Sequence, residues 1–247
     1  MQRFKVKYFV DAIMPHIMVD RAFQRKACWS EKTCREFILS SNLGRAFYPI
    51  VVAEVKTGLE ASKIVGREYS IKKYEFADGR RKDYISLDGQ NRSMAWKKFF
   101  ENKIHVSGNF IDADNQEVTV RNATYNQLPE RLQDALRDNE IIMSVAKGCL
   151  YDELHEIFVN INSGEALNAQ EIRNAINTPI SEFFRTMSER QIFVDGLNNI
   201  LSWNEKKTSR SLDCEYIAKA YMVTLQTKVS WNPSKNLIDK FYEIGKG

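Results

Sequence analysis

The residue types best suited to chemistry in this chain of 247 residues lie in a polar cluster, Asp88–Ser93. The cluster follows a short apolar run, Tyr84–Leu87, whose composition favours a β-strand. It precedes a segment in which apolar residues recur four apart, for example at Ala95 and Phe99, which is helical spacing. The cluster is therefore predicted at a strand-to-helix junction. Backbone N–H groups and the helix dipole at such a junction favour a bound anion, above all a phosphate.

Each member of this cluster offers a different contact. Asp88 carries a carboxylate for a proton or a metal ion, Gly89 permits a turn with positive φ, and the guanidinium of Arg92 matches the geometry of a phosphate. The other members carry amide or hydroxyl groups that can contact a ligand: Gln90, Asn91 and Ser93. The alternative interpretation is an ordinary strand–turn–helix in which Asp88 only caps the helix.

The composition is that of a soluble globular protein, with 43% hydrophobic and 28% charged residues. No apolar run is long enough to cross a bilayer, and the segment 1–7 shows no secretory signal, so we expect a cytoplasmic protein without a membrane partner. The four cysteines lack CxxC spacing and favour reduced thiols over a disulfide frame or a zinc site. A net charge of +4 permits contact with nucleic acid without requiring it.

The patterning divides the chain into a mixed α/β part, 1–150, and a helical part, 151–247. We expect an α+β fold with a small mixed β-sheet. In the first part the patterns predict a helix capped by Ser30, a strand from Tyr48, a hairpin of 67–76 with 83–87, a second hairpin over 104–122, a helix over 129–138 and a strand over 141–146.

The second part contains another polar cluster between predicted helices. Its amide, hydroxyl and guanidinium groups lie close together in sequence: Asn160, Asn162, Ser163, Gly164 and Arg173. A helix–turn–helix connection accounts for part of it, because Asn168 and Glu171 have capping-box spacing. Further helices are predicted after the Thr178-Pro179 pair, which is typical of a helix start, and over 213–226.

Three stretches together resemble one family. Phe23-Gln24-Arg25 and Trp29 precede a helix and a Pro-Ile strand, Leu87–Arg92 is similar to a DGQQR signature, and 156–175 is similar to an "eiF-riN-sG-pLn-qEiRna" stretch. They occur in the family's order over about 20–176. The chain thus resembles the GmrS-like domain of the ParB/sulfiredoxin superfamily, as found in GmrSD-type and SspE-type restriction enzymes. Asn91 stands where the family signature has its second Gln, which shortens the side chain by one methylene.

The resemblance implies a ParB/sulfiredoxin-like domain over 1–150 and a helical extension over 151–247 that completes the site. Relatives bind or hydrolyse nucleoside triphosphates, some to control DNA cleavage. Carried over, the catalytic candidates are Asp88, Gln90 and Arg92, with Asp88 also the candidate Mg²⁺ ligand. The candidates for nucleotide or phosphate binding are Gln24, Arg25, Gly89, Asn91, Ser93, Asn160, Asn162, Ser163, Gly164 and Arg173.

GmrSD-type enzymes also carry a nuclease domain of the His-Asn-His kind, whereas this sequence has no histidine after His155. We therefore expect any DNA cleavage to come from the signature site or from a separate nuclease subunit. Three functions stay open: a nucleotide-binding phosphohydrolase acting with or on DNA, a metal-dependent DNA nuclease using the same residues, and a non-catalytic nucleotide- or DNA-binding regulatory module.

A shared site also makes a geometric prediction. Arg25, Asp88, Arg92 and Asn162 are distant in sequence, yet groups that act on one phosphate must converge within a few ångströms. We expect these four side chains to line one cleft.

Overall fold

The computed structural model describes the chain in eight ranges: 1–20, 29–45, 48–65, 82–161, 169–175, 178–201, 211–225 and 233–244. The chain divides into two compact units. Unit 1 comprises 1–19 and 29–154, and most of unit 2 lies from 155 onward.

Unit 1 is built on a five-stranded mixed sheet. Its strands are β1 (Gln2–Lys5), β2 (Ile17–Met18), β3 (Ile50–Glu54), β4 (Tyr84–Asp88) and β7 (Glu140–Ala146), in the spatial order β1-β7-β3-β4-β2. The β1–β7 and β3–β4 pairs are antiparallel, whereas β7–β3 and β4–β2 are parallel. A separate antiparallel hairpin consists of β5 (Val106–Ile111) and β6 (Glu117–Ala123).

Helices flank these strands in unit 1. The chain turns helical directly after β1, through α1 (Val6–Tyr8), a π-helical stretch (Phe9–Ile13) and a 3₁₀ turn (Met14–His16). The longer helices are α2 (Glu31–Asn42), α3 (Val55–Val65), α4 (Gln90–Phe100) and α5 (Glu130–Asp138), with a 3₁₀ turn at Tyr125–Gln127.

Local sequence explains where several of these elements begin. The side chain of Ser30 accepts a hydrogen bond from Thr33 N, so it caps α2 as predicted. The β5–β6 turn is fixed by Asp112, whose Oδ1 accepts from the backbone N–H groups of Asp114 and Gln116. One continuous core, which includes Phe9, Trp96 and Phe99, packs beneath these elements.

Unit 2 is helical in its described residues. After α6 (Tyr151–Ile161), which contains the boundary between the units, come α7 (Ala169–Ala175), α8 (Pro179–Ser188), α9 (Gln191–Leu201), α10 (Leu212–Leu225) and α11 (Lys235–Tyr242). Thr178 caps α8 with Pro179 in its first turn, as the sequence predicts. Phe184, Met222 and Tyr242 belong to a separate core.

The structure is thus a mixed α and β protein with a mixed sheet, and the strands and helices expected within its described parts are present. The first arm of the hairpin expected over 67–76 lies outside the described residues. The structure pairs β4 with β3 and β2. None of the helices in the described parts of the chain is long and apolar enough to cross a membrane.

Candidate functional site

The junction between β4 and α4 is a tight turn at Gly89. Gly89 has φ +94°, a conformation that side-chain-bearing residues rarely adopt. A Cβ added there would lie 2.5 Å from Ile50 Cδ1 and 3.1 Å from Ile50 Cα. Glycine is therefore required both by the backbone conformation and by the close approach of β3. The turn brings the end of β4 directly to the first turn of α4.

Asp88 and Arg92 form an ion pair across this turn. Arg92 Nη2 lies 2.6 Å from Asp88 Oδ2, and Gly89 N donates to Asp88 Oδ1 at 2.6 Å. The Arg92 side chain is 13% exposed and that of Asp88 is 37% exposed. Arg92 also lies against the ring of Tyr48, with Cζ 5.7 Å from the ring centroid. The guanidinium is thus held in one place by a carboxylate and an aromatic face.

The other polar members of the cluster have structural contacts. The hydroxyl of Ser93 is buried and donates to Gly89 O at 3.1 Å, within its own helix. Asn91 Oδ1 accepts from Trp29 N at 3.4 Å, which joins the turn to the start of α2. Gln90 is half-buried at the first position of α4. The N–H groups of a helix's first turn have no partner within the helix, so this end can still bind an anion.

A cavity of about 410 Å³ opens beside this turn, and Arg92 forms part of its wall. Its volume falls within the roughly 300–1,000 Å³ typical of small-molecule sites. The wall is formed by β1, the end of α2, the start of β3, the first two turns of α4 and the α5–β7 connection. Phe37, Tyr48 and Trp96 give the wall three aromatic side chains. Among the predicted site residues that the structure describes, Arg92 lines this cavity.

The rim of the cavity carries charges of both signs. Arg3 Nη1 lies 3.4 Å from Glu140 Oε2, and Lys5 Nζ lies 2.9 Å from Asp138 Oδ2. All four of these side chains are more than half exposed, so the pairs are weak and rearrange readily.

Sequence reasoning missed two polar groups in the same cavity. Ser41 Oγ and Asn139 Nδ2 are buried and have no hydrogen-bond partner among the described residues, and both residues line the cavity. No local pattern marks them, because Ser41 lies near the end of a helix and Asn139 in a short connection far along the chain.

Asp88, the predicted magnesium ligand, pairs with Arg92 in the structure, and magnesium binding there stays a prediction. Both of its carboxylate oxygens already accept hydrogen bonds, one of them from a cationic guanidinium that would repel a metal ion. In the described part of the chain, no group of three or more His, Cys, Asp or Glu side chains could hold a metal ion.

The second polar cluster has a different environment. Arg173, in unit 2, is buried, with Nε 2.7 Å from Asp239 Oδ1 and Nη1 3.3 Å from Glu215 Oε2. Its Nη1 also donates to Gln170 Oε1, and Gln170 Nε2 donates to Tyr242 Oη at 2.8 Å. Burial raises the pKa of Tyr242 well above its ordinary value. These contacts hold α7, α10 and α11 together.

Several predicted site residues lie outside the described parts of the chain: Gln24, Arg25, Asn162, Ser163 and Gly164. The predicted convergence of Arg25 and Asn162 on the Asp88 turn therefore stays a prediction. Asn160 is exposed near the end of α6.

Two basic side chains near the turn make other contacts in the structure. Lys97 Nζ lies 4.0 Å from Glu101 Oε1, and Lys82 Nζ donates to Pro15 O at 2.7 Å. Contact with DNA stays a prediction.

Comparison of the chain with protein-family models, with curated proteins and with solved structures finds no match. The geometry of the turn and its cavity is therefore the basis for the function that follows.

Proposed function

We propose that unit 1 is a ParB/sulfiredoxin-like domain that binds a nucleoside triphosphate in the Arg92 cavity and hydrolyses it, in the DNA-processing context that the sequence resemblance implies. The observation that carries this proposal is the placement of the Arg92 guanidinium, held by Asp88 and Tyr48, in the wall of a ligand-sized cavity at the N-terminal end of a helix. A guanidinium and a helix N-terminus are both favourable surroundings for phosphate oxygens.

The ion pair with Asp88 leaves Arg92 able to bind a ligand. The pair uses Nη2, whereas a guanidinium carries five N–H donors in a planar fork. The ring of Tyr48 holds the side chain in position before the ligand arrives, which lowers the entropy lost on binding, whereas Asp88 competes with the ligand for the guanidinium. In hydrolysis, Arg92 would stabilise the negative charge that develops on the transferred phosphoryl group. Asp88 becomes able to orient water only when Arg92 shifts toward the ligand.

The test is release of inorganic phosphate from each of the four common nucleoside triphosphates. Arg92→Ala is expected to lower turnover about a hundred- to a thousandfold, because removing one preorganised donor typically costs about 3–4 kcal/mol in the transition state. Arg131→Ala is the matched control, since it also removes an arginine from a carboxylate pair, with Asp114, at the tip of the β5–β6 hairpin. Its turnover should equal that of wild type.

Equal turnover in wild type and Arg92→Ala, with both proteins folded by circular dichroism, would remove Arg92 from the reaction. Absence of both binding and turnover in the wild-type protein would overturn the proposal as a whole.

A non-catalytic binding module is the second candidate, and the geometry of Asp88 favours it. Both oxygens of this carboxylate are engaged, so the described turn presents no free base to a bound nucleotide. Such a module gains thermal stability with ligand according to RT ln(1 + [L]/Kd), about 2.7 kcal/mol at one hundred times Kd, and shows no turnover. Multiple turnovers by the purified protein would exclude it.

A metal-dependent nuclease that uses the same residues rests on the resemblance alone. Incubation of plasmid DNA, with and without modified bases, in Mg²⁺ or Mn²⁺ tests it directly, and intact DNA under all conditions would remove it.

A further inference from the structure

Two residues that line the Arg92 cavity each carry a buried polar group with no hydrogen-bond partner among the described residues. Ser41 is 9% exposed and its Oγ has no hydrogen-bond partner in the described part of the chain. The same holds for Asn139 Nδ2, which is buried although the residue is not fully so. Buried polar groups are nearly always paired, because an unpaired one keeps the full cost of losing its water. Two such groups, on residues that line one cavity, can pair with a ligand bound there.

Comparison with other buried serines in unit 1 sharpens this observation. A helical serine can satisfy its hydroxyl on the backbone of the preceding turn. Ser62 does so by donating to Leu59 O at 3.0 Å, and Ser93 does so by donating to Gly89 O at 3.1 Å. Ser41 makes neither contact, so its buried hydroxyl is unpaired and reaches a ligand in the cavity by rotation of the side chain.

The amide of Asn139 has a defined direction. Its Oδ1 accepts from Glu140 N at 3.0 Å, so the group left over is Nδ2, a donor. A ligand that satisfies this wall must present an acceptor to Asn139, while Ser41 can donate or accept.

The rest of the wall selects the shape of that ligand. Phe37, Tyr48 and Trp96 line the same cavity, and the rings of Phe37 and Trp96 meet edge to face at 6.2 Å. Aromatic walls favour a flat ring such as a nucleobase, which can stack on them. A nucleobase has both features, because it is a flat ring whose edge carries hydrogen-bond acceptors.

We propose that Ser41 and Asn139 form a base-binding subsite, which contacts the edge of the nucleobase while the phosphates of the same nucleotide lie at Arg92. This inference rests on the proposed nucleotide site and deepens it. In this proposal, the end of α2 and the α5–β7 connection determine which nucleotide binds. The Asp88–Arg92 turn provides the affinity for phosphate.

The experiment compares two kinds of probe, which share the phosphate chain and differ in whether a nucleoside is attached. Binding of the four nucleoside triphosphates and of inorganic tripolyphosphate is measured by calorimetry for wild type, Ser41→Ala and Arg92→Ala. Ser41→Ala is expected to weaken its preferred nucleotide about five- to tenfold, as the loss of one hydrogen bond predicts, and to leave tripolyphosphate unchanged. Arg92→Ala is expected to weaken both probes.

Ser62→Ala is the matched control, because it removes a buried helical hydroxyl that is already satisfied and lies outside the cavity. It should lower the melting temperature of the ligand-free protein and leave nucleotide affinity unchanged. Ser41→Ala should melt no lower than wild type without ligand, since it removes an unpaired buried hydroxyl.

A second variant tests whether Asn139 contacts the base. Asn139→Asp keeps an oxygen for Glu140 N and replaces the free donor with an acceptor, so the order of affinity among the four triphosphates should change. Their phosphates are identical, and the added negative charge therefore cancels in this ranking.

The outcomes distinguish failure of the base-binding subsite from failure of the nucleotide site. Equal nucleotide binding by wild type and Ser41→Ala with an unchanged ranking in Asn139→Asp overturns the subsite and leaves the nucleotide site standing. An equal loss of tripolyphosphate binding in Ser41→Ala also overturns the subsite. Binding of neither probe by wild type overturns the nucleotide site itself.

Discussion

Two arginines, one in each unit, lie in polar clusters of similar composition. They differ in how many protein groups each guanidinium contacts. Arg173 in unit 2 is 3% exposed and contacts two carboxylates, an amide oxygen and a backbone carbonyl. Arg92 in unit 1 contacts one carboxylate and the ring of Tyr48, and it forms part of the wall of a cavity.

The difference shows how a satisfied arginine is distinguished from an available one. Each of the three guanidinium nitrogens of Arg173 donates to another group of unit 2, so its contacts stabilise the packing of helices. The Arg92 guanidinium is fixed by Asp88 on one side and faces open volume on another. Burial and ion pairing are common to both, and the cavity is the feature that indicates binding.

The largest effect expected from this comparison is on stability. Arg173→Met keeps the volume and removes the charge, which leaves Glu215 and Asp239 without their shared partner. We expect the free energy of unfolding to fall by about 3 kcal/mol, at the lower end for a broken buried pair because the Asp239 side chain is 40% exposed. Arg92→Met should cost about 1 kcal/mol or less. Urea unfolding of both variants measures this, and equal losses would contradict the distinction.

The next effect concerns the turn that positions Arg92. Gly89→Ala is expected to destabilise the protein by about 2 kcal/mol, because alanine is strained at φ +94° and its Cβ meets Ile50. Gly148→Ala is the matched control, since Gly148 also has positive φ, at +67°, but a Cβ there would meet nothing within 4 Å. Its loss should be about 1 kcal/mol.

Adding Ile50→Val to Gly89→Ala removes the Cδ1 atom from the contact and should recover part of the difference between the two glycine variants. No recovery would show that backbone strain alone accounts for the cost at Gly89.

The smallest effect tests whether Asp88 competes with the ligand for Arg92. Asp88→Asn keeps an oxygen for Gly89 N and removes the ion pair, which in this partly exposed setting is worth about 1 kcal/mol or less. Nucleotide affinity should therefore rise about two- to fivefold while stability falls slightly. Asp114→Asn, which breaks the exposed pair with Arg131, should leave affinity unchanged. A lower affinity in Asp88→Asn would mean that the carboxylate helps to hold Arg92 for the ligand.

Local signals in the sequence predict those elements that local chemistry determines. Ser30 and Thr178-Pro179 mark helix starts that the structure confirms, and Asp88-Gly89 marks the turn between β4 and α4. The strand β1 and the π-helical stretch Phe9–Ile13 carry no comparable signal, because their conformation depends on pairing and packing with distant residues.

The candidate site divides in the same way. The turn at Asp88–Arg92 is contiguous, so residue types and spacing reveal it. The cavity brings together Arg3, Ser41, Arg92 and Asn139 from four separate segments, and only the tertiary fold places them together. The missing hydrogen-bond partners of Ser41 and Asn139 can be recognised only in the three-dimensional structure. They have no counterpart in composition or periodicity.

The position of β7 in the sheet has a consequence for the order of folding. It is the last strand of unit 1 in sequence, yet it lies between β1 and β3, with Gln2 opposite Met143 and Ile50 also opposite Met143. The N-terminal strand therefore has no neighbour in the sheet until the chain has been synthesised past 146. Closing so long a loop has an entropic cost, and contacts of such sequence separation lower folding rates. During synthesis the five-stranded sheet can therefore form only after β7 has been made. Insertion of β7 between β1 and β3 also completes the wall of the cavity.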